Sequence, residues 1–302
     1  MKKIKDLITL KSKGTCIAIG CFDGVHRGHY KILKTMVDLS NKLNFDTVVF
    51  SFEDNFKEKT LNKPTPKLLE SFQKEKILSK IGIKYLYSVQ SSSIIDLSPE
   101  KFIDEILLKK LNVKHIFCGF NFKFGKNRSA DVFKLKELCN KRNIDVHIID
   151  PIKEKNTIIS SSCIRDYIKN GYIVSANEML GRNFSIESLV SSGEKIASTL
   201  GFPTINQHFS KNFIIPKFGV YKSSTKIKNQ HYTSITNIGV CPTLKKDSIP
   251  HAETFIINLP YENLYGKNIH VELIEFIRPE KTFSSKSELK AAILNDIENC
   301  KF

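Results

Sequence analysis

The chain contains no Cys-x-x-Cys pair, no Walker A string and no Gly-x-Gly-x-x-Gly fingerprint. Its seven cysteines (Cys16, Cys21, Cys118, Cys139, Cys163, Cys241 and Cys300) are odd in number and scattered. That argues against a disulfide framework and a zinc site. The thiols read as small apolar fillers in a reducing compartment. The missing glycine fingerprints leave ordinary P-loop and dinucleotide-binding readings without support. No apolar run approaches the roughly 20 residues of a membrane span. Met1-Lys2-Lys3-Ile4-Lys5 is basic, but the apolar Leu7-Ile8-Thr9-Leu10 is too short for a signal peptide, and no small-residue cleavage site follows. The expectation is a cytoplasmic protein with no membrane partner.

Arginine is also scarce, although the formal charge is +16. Lysine supplies the excess and is dispersed, as on a solvated surface rather than in a nucleic-acid stripe. Arg27, Arg128, Arg165, Arg182 and Arg278 fall in or beside the motifs described below. A lysine-preferring chain that uses arginine there points to a need for the planar fork, which grips phosphate or carboxylate.

What is present begins with Gly20-Cys21-Phe22-Asp23-Gly24-Val25-His26-Arg27-Gly28-His29. It follows an apolar run, Cys16-Ile17-Ala18-Ile19, and precedes a pattern with Ile32, Leu33, Met36, Val37 and Leu39 on one helical face. His26 and His29 thus fall one turn apart on one face of a helix start. Free N–H groups and the dipole there attract anions, and Gly20, Gly24 and Gly28 permit close approach. The arrangement suits nucleotide phosphates, with imidazoles stabilising charge as a phosphorus–oxygen bond breaks.

Residues 14–150 alternate strand-like and helix-like stretches. Strands are predicted at Thr15–Gly20, Thr47–Phe52, Tyr85–Val89, His115–Gly119 and Val146–Asp150. Helices are predicted at Gly28–Leu43, Lys67–Ile81, Pro99–Leu111 and Asp131–Asn140, with Ser98 capping the third. That is an α/β pattern with a parallel sheet covered on both faces. After about Leu180 the texture becomes β-rich: Tyr221–Lys226, Tyr232–Ile238, Thr254–Leu259 and Ile269–Ile277, then a helix near Lys286–Glu298. A small antiparallel barrel or sandwich fits this half, with the boundary at Leu180-Gly181-Arg182.

Three further strings carry chemistry. Gly119-Phe120-Asn121-Phe122-Lys123-Phe124-Gly125-Lys126 reads equally as a ligand loop or as aromatics packing on the sheet. Ser160-Ser161-Ser162-Cys163-Ile164-Arg165 opens a helix, where hydroxyls cap and Arg165 would add a cation one turn on. Gly201-Phe202-Pro203-Thr204-Ile205-Asn206 is either a Gly/Pro turn or, if extended, a pair of oxygen donors on one face. Oxygens of that kind suit Mg²⁺. Glu253 opens an apolar strand and, facing a cleft, could take a proton from an attacking hydroxyl.

The string Gly20–His29, then Gly119–Gly125, then Ser160–Arg165, resembles the adenylyltransferase half of the bacterial bifunctional riboflavin kinase/FAD synthetase family. Leu180-Gly181-Arg182, Gly201–Asn206, Gly219-Val220-Tyr221, Asn237-Ile238-Gly239 with Pro242-Thr243, Glu253, Leu264-Tyr265-Gly266-Lys267 and Ile277-Arg278 resemble its riboflavin kinase half. The resemblance implies a Rossmann-like nucleotidyltransferase domain over 1–180 and an antiparallel β-barrel kinase domain with a closing helix over 181–302. It implies phosphorylation of riboflavin to FMN, then adenylylation of FMN to FAD with release of pyrophosphate, using ATP and Mg²⁺. By the same resemblance His26 and His29 contact the ATP phosphates, as do Gly20, Phe22, Asp23, Gly24, Gly28, Ser161, Ser162 and Arg165. Asn121 lies in the flavin and nucleotide cleft. Thr204 and Asn206 hold Mg-ATP with help from Gly193, Glu253 is the base, and Arg278 lies in a loop over flavin.

Three places depart from the family pattern. Ser51-Phe52-Glu53 is followed by Asp54-Asn55-Phe56 where the family has Thr-Phe-x-Pro-His-Pro. Ala130-Asp131 replaces Gly-Asp, and Ala197-Ser198-Thr199-Leu200 replaces Gly-Arg-Thr-Leu. A single-activity member, impaired at one of these, is the alternative within the family. A different His-x-Gly-His nucleotidyltransferase and a non-catalytic flavin or nucleic-acid binder are the alternatives outside it. The expected partners are small molecules, with no nucleic acid.

Overall fold

The computed structural model describes residues 1–4, 9–52, 65–89, 94, 96–193, 196–240, 250–260 and 262–300. The chain divides into two compact units, Met1–Ser161 and Ser162–Phe302.

The first unit is a six-stranded sheet of β1 (Lys2–Ile4), β2 (Thr15–Gly20), β3 (Asp46–Phe52), β4 (Tyr85–Val89), β5 (Val113–Gly119) and β6 (Asp145–Ile149). Its order is β1-β4-β3-β2-β5-β6, and each neighbouring pair is parallel. Alternation along β2 explains why the sheet is covered twice. Ile17 and Ile19 face one core with the segment Phe102–Leu108 and helix Val132–Asn140. Cys16 and Ala18 face another core with helices Arg27–Leu43 and Ser71–Ile81. The chain turns from β2 to β3 on one side and returns as β5 on the other. Ligands of open α/β sheets bind beyond the carboxyl ends of the strands at such a switch.

Local chemistry sets the helix limits. The predicted Lys67–Ile81 helix starts four residues late, because Glu70 caps it through a reciprocal box with Gln73 and Gly82, at φ 103°, ends it. Ser98 caps the next helix, with Pro99 at its first position. That helix changes character: Phe102–Leu108 is π-helical, with Lys109 N–H reaching back five residues to the Asp104 carbonyl at 3.1 Å. A two-stranded hairpin, β7 (Lys153–Glu154) and β8 (Thr157–Ile158), was not predicted.

The second unit decides between barrel and sandwich. The strands β9 (Phe184–Ser191), β10 (Thr204–His208), β11 (Gly219–Ile227), β12 (Gln230–Gly239), β13 (His251–Ile256) and β14 (Asn268–Arg278) close into a barrel in the order β10-β13-β12-β11-β14-β9. Every ladder is antiparallel. Inside, fully buried Ser223, Thr225, Ser234, Thr236 and Thr254 join in a hydroxyl network with contacts of 2.8–2.9 Å. They run as one chain, Thr225–Ser234–Ser223–Thr236–Thr254, in which each of the three inner hydroxyls has two partners and can both donate and accept. Residues of opposite parity face outward. Val220 and Ile235 are covered by Ile297 and Cys300 of the helix Lys286–Cys300. Among the described residues no helix is long and apolar enough to cross a membrane.

Candidate active sites

The first site is the turn after β2. Phe22, Gly24 and Val25 take positive φ values of 49°, 79° and 37°, so the chain reverses tightly before the helix. His26 is the N-cap, and its Nδ1 accepts the His29 N–H at 3.3 Å. The two imidazoles stack with centroids 3.6 Å apart and planes at 19°. Phe22 meets His29 edge-on at 5.2 Å. Gly28 packs closely on the cap: a Cβ there would lie 3.1 Å from the His26 ring, which would have to give by a few tenths of an ångström. Gly20 has no positive φ, and its nearest constraint is the Phe22 ring at 3.4 Å.

The turn is anchored from three directions. Asp23 Oδ1 accepts the Leu68 N–H at 3.0 Å, and Ser161 Oγ donates to the Asp23 carbonyl at 2.8 Å. The third anchor was not foreseen. Lys74 Nζ donates to the Cys21 carbonyl at 2.7 Å and to Ser51 Oγ, and Ser51 Oγ donates to that same carbonyl at 3.0 Å. In the sequence Lys74 is one lysine among many on a helix; only its contacts distinguish it.

The loop after β5 resolves the two readings of Gly119–Lys126 residue by residue. Phe124 is buried against Phe102, and Phe122 stacks on Phe124 at 5.8 Å, so these aromatics pack. Gly125, at φ 75°, abuts Pro99, where a Cβ would come within 2.7 Å. Asn121 is exposed, with Oδ1 over Gly119 at the carboxyl end of β5, the strand beside β2. Ser161 begins the helix Ser161–Lys169, on which Ser162 is exposed and Arg165 is buried. Asp54-Asn55-Phe56 and Pro242-Thr243 lie outside the described residues.

Three arginines pair with carboxylates, while Arg182 donates to the Leu180 carbonyl at 3.4 Å. Arg27 pairs with Glu154, and Arg142 grips Asp104 through two nitrogens. Arg278 corrects an expectation. It ends β14 instead of lying in a loop, and it holds Asp296 through Nε at 3.0 Å and a terminal nitrogen at 2.7 Å. Asp296 is buried in the terminal helix, so this pair fastens that helix to the barrel.

The second site is a polar row on the barrel's outer face. Thr204 and Asn206 are extended in β10 and two residues apart, which puts both on that face. Register places Asn206 opposite Glu253, and Glu253 opposite Asn237, across β10, β13 and β12. Directly opposed residues have Cβ atoms about 5 Å apart. Glu253 is the third residue of its strand, not the first as expected. Gly193 is bare for a reason: a Cβ there would lie 2.3–2.7 Å from the Asn206 amide. Ala197 sits in the helical turn Ile196–Thr199 without positive φ and packs against the cluster of Phe202 and Val220. Thr204 and Asn206 offer hard neutral oxygens beside a carboxylate, a donor set that fits Mg²⁺. Among the described residues no three His, Cys, Asp or Glu side chains form a metal cluster.

Two family models match the chain, one over nearly all of the first unit and one within the second. Residues 8–163 match FAD synthetase, and residues 180–302 match riboflavin kinase. The chain belongs to the bifunctional riboflavin kinase/FMN adenylyltransferase family. A member from Buchnera aphidicola of Schizaphis graminum is 38% identical over 99% of this chain and 97% of its own. One from Bacillus subtilis is 30% identical over 96% and 92%. A solved structure described as a macrolide-efflux protein from Streptococcus pneumoniae is 25% identical, covers 99% of this chain and 98% of its own, and superposes with a TM-score of 0.88.

Proposed function

We propose that the chain makes FMN from riboflavin and FAD from FMN, at two separate sites and in the cytoplasm. The functional boundary falls at Leu180-Gly181-Arg182, where Gly181 at φ 72° ends the helix Ile173–Leu180. The observation that carries this reading is that each matched half brings its own polar site.

In residues 1–180 the triphosphate lies over Gly20, Phe22, Asp23, Gly24 and Gly28, at the N-terminus of the helix Arg27–Leu43. A phosphate oxygen of FMN attacks the α-phosphorus of ATP, and pyrophosphate leaves. His26 and His29 stabilise the charge that builds on the phosphates. Ser161, Ser162 and Arg165 complete the clamp, and Asn121 contacts ligand in the flavin and nucleotide cleft. In residues 181–302 the ribityl 5′-hydroxyl of riboflavin attacks the γ-phosphorus, and ADP leaves. Glu253 takes the hydroxyl proton. Thr204 and Asn206 would hold the magnesium of Mg-ATP, which would supply neutralisation of phosphate charge, and Gly193 leaves room beside Asn206 for the nucleotide. Both reactions are matters of positioning and charge stabilisation. For its guanidinium to contact flavin, Arg278 must leave Asp296.

Chromatography of riboflavin with Mg-ATP, repeated from FMN, tests the proposal. FMN followed by FAD and pyrophosphate is expected. FMN that accumulates without FAD, or FAD formed only from supplied FMN, supports the single-activity reading instead.

A further inference from the structure

Glu253 has a partner on its own strand. His251, two residues earlier on β13, faces the same side, with Nε2 3.1 Å from Glu253 Oε1. The imidazole is the more enclosed of the two, its side chain 14% exposed against 34% for the carboxylate. Three strands build that enclosure. Gly239 of β12 lies opposite His251, and the Glu280 carboxylate occupies the space over Gly239, where a Cβ would clash with Oε1. Across β10, His208 is directly opposite His251, with ring centroids 6.1 Å apart. Among the described residues, charged and titratable groups placed against this imidazole include Glu253, Glu280 and His208. Burial raises the Glu280 carboxyl pKa, and the nearby His251 opposes that rise.

A carboxylate acting as base presents one oxygen to the proton it accepts, and it swings freely unless the other oxygen is held. We propose that His251 is a positioning residue for phosphoryl transfer. It donates its Nε2 proton to Glu253 Oε1 and leaves Oε2 for the hydroxyl of the acceptor. The imidazole keeps its proton throughout; the transferred proton goes to Glu253 alone. This is the base-and-orienter arrangement of nucleophilic sites, with the imidazole as orienter. It rests on the reading of Glu253 as the base.

The test uses the full chain and measures kcat and KM for riboflavin phosphorylation, with adenylylation of supplied FMN as internal control. His251→Leu is expected to lower kinase kcat about 10-fold, the loss typical of removing a group that orients a functional ligand. KM for riboflavin and for ATP, and the adenylylation rate, should not change. His251→Gln, whose amide nitrogen reaches the place of Nε2, should recover most of that kcat. If His251→Leu does not fold, His251→Asn is compared with His251→Gln, because the shorter amide falls short of Glu253. Wild-type kcat in His251→Leu, or equal rates in the Gln and Asn variants, overturns the proposal. Glu253→Gln separates the two failures. If it keeps kinase turnover, the base assignment is wrong; if it loses turnover while His251→Leu does not, only the positioning role is wrong.

Discussion

His26 is buried as the cap of a helix, and its ring lies flat against His29. The glycines of that string do different work, and only the structure separates them. Gly24 supplies a positive φ, Gly28 makes room for an imidazole, and Gly20 does neither. The histidines were legible in the sequence because both ring spacing and helix start are local. Lys74 was not, since its value lies in bonds to Cys21 and Ser51, more than twenty residues away in sequence. Replacing it by methionine keeps the stem and removes the ammonium. Lys74→Met should slow FMN adenylylation about 10-fold, as loss of an orienting partner does, and leave riboflavin phosphorylation unchanged. An equal loss in both reactions would make Lys74 a folding residue. A second residue-scale prediction concerns His270, held between Glu187 at 3.0 Å and Glu272 at 3.2 Å. Burial opposes its charge, but the two carboxylates outweigh burial and raise its pKa to about 9. The unfolded imidazole titrates near 6.5. A raised folded value means full stabilisation below the unfolded pKa, loss as pH rises towards about 9, and none above it. The gap in urea midpoint between wild type and His270→Asn should therefore narrow from pH 6 to pH 10. A gap that is constant over that range contradicts the assignment.

Elements with strong periodicity were readable to the residue. The limits of β2 and β4 are those predicted, because each is a buried run bounded by turn residues. β9 was missed, although Phe184, Ile186 and Val190 share one parity, because Ser188 on that parity and Leu189 on the other blur the period. β10 could be read as a turn as easily as a strand, since Gly201 and Pro203 precede it. Those two strands decide between barrel and sandwich, which is why the sequence left both open. The hydroxyl network inside the barrel was equally hidden, because Ser and Thr at core positions look like surface in a binary pattern. The terminal helix was foreseen from its own face, but not its fastening. Arg278→Met would leave Asp296 buried without its cation, and breaking such a pair costs about 3 kcal/mol. Urea unfolding should show that loss. Unchanged stability would free Arg278 for the flavin contact that the family resemblance implies.

Across the whole molecule, the order of the motifs identified the family, and the structure then showed what each motif is built from. Two independent sites share one chain. His29→Ala removes an imidazole from the first and should cut FMN adenylylation by about 10²–10³-fold, the size of losing one transition-state donor. Glu253→Gln should silence phosphorylation of riboflavin. The most direct measurement mixes the two variants in equal amounts with riboflavin and Mg-ATP and follows FAD by chromatography. Neither variant alone should make FAD and the mixture should, as FMN released by one is consumed by the other. FAD from either variant alone, or a mixture as inactive as its parts, would contradict it.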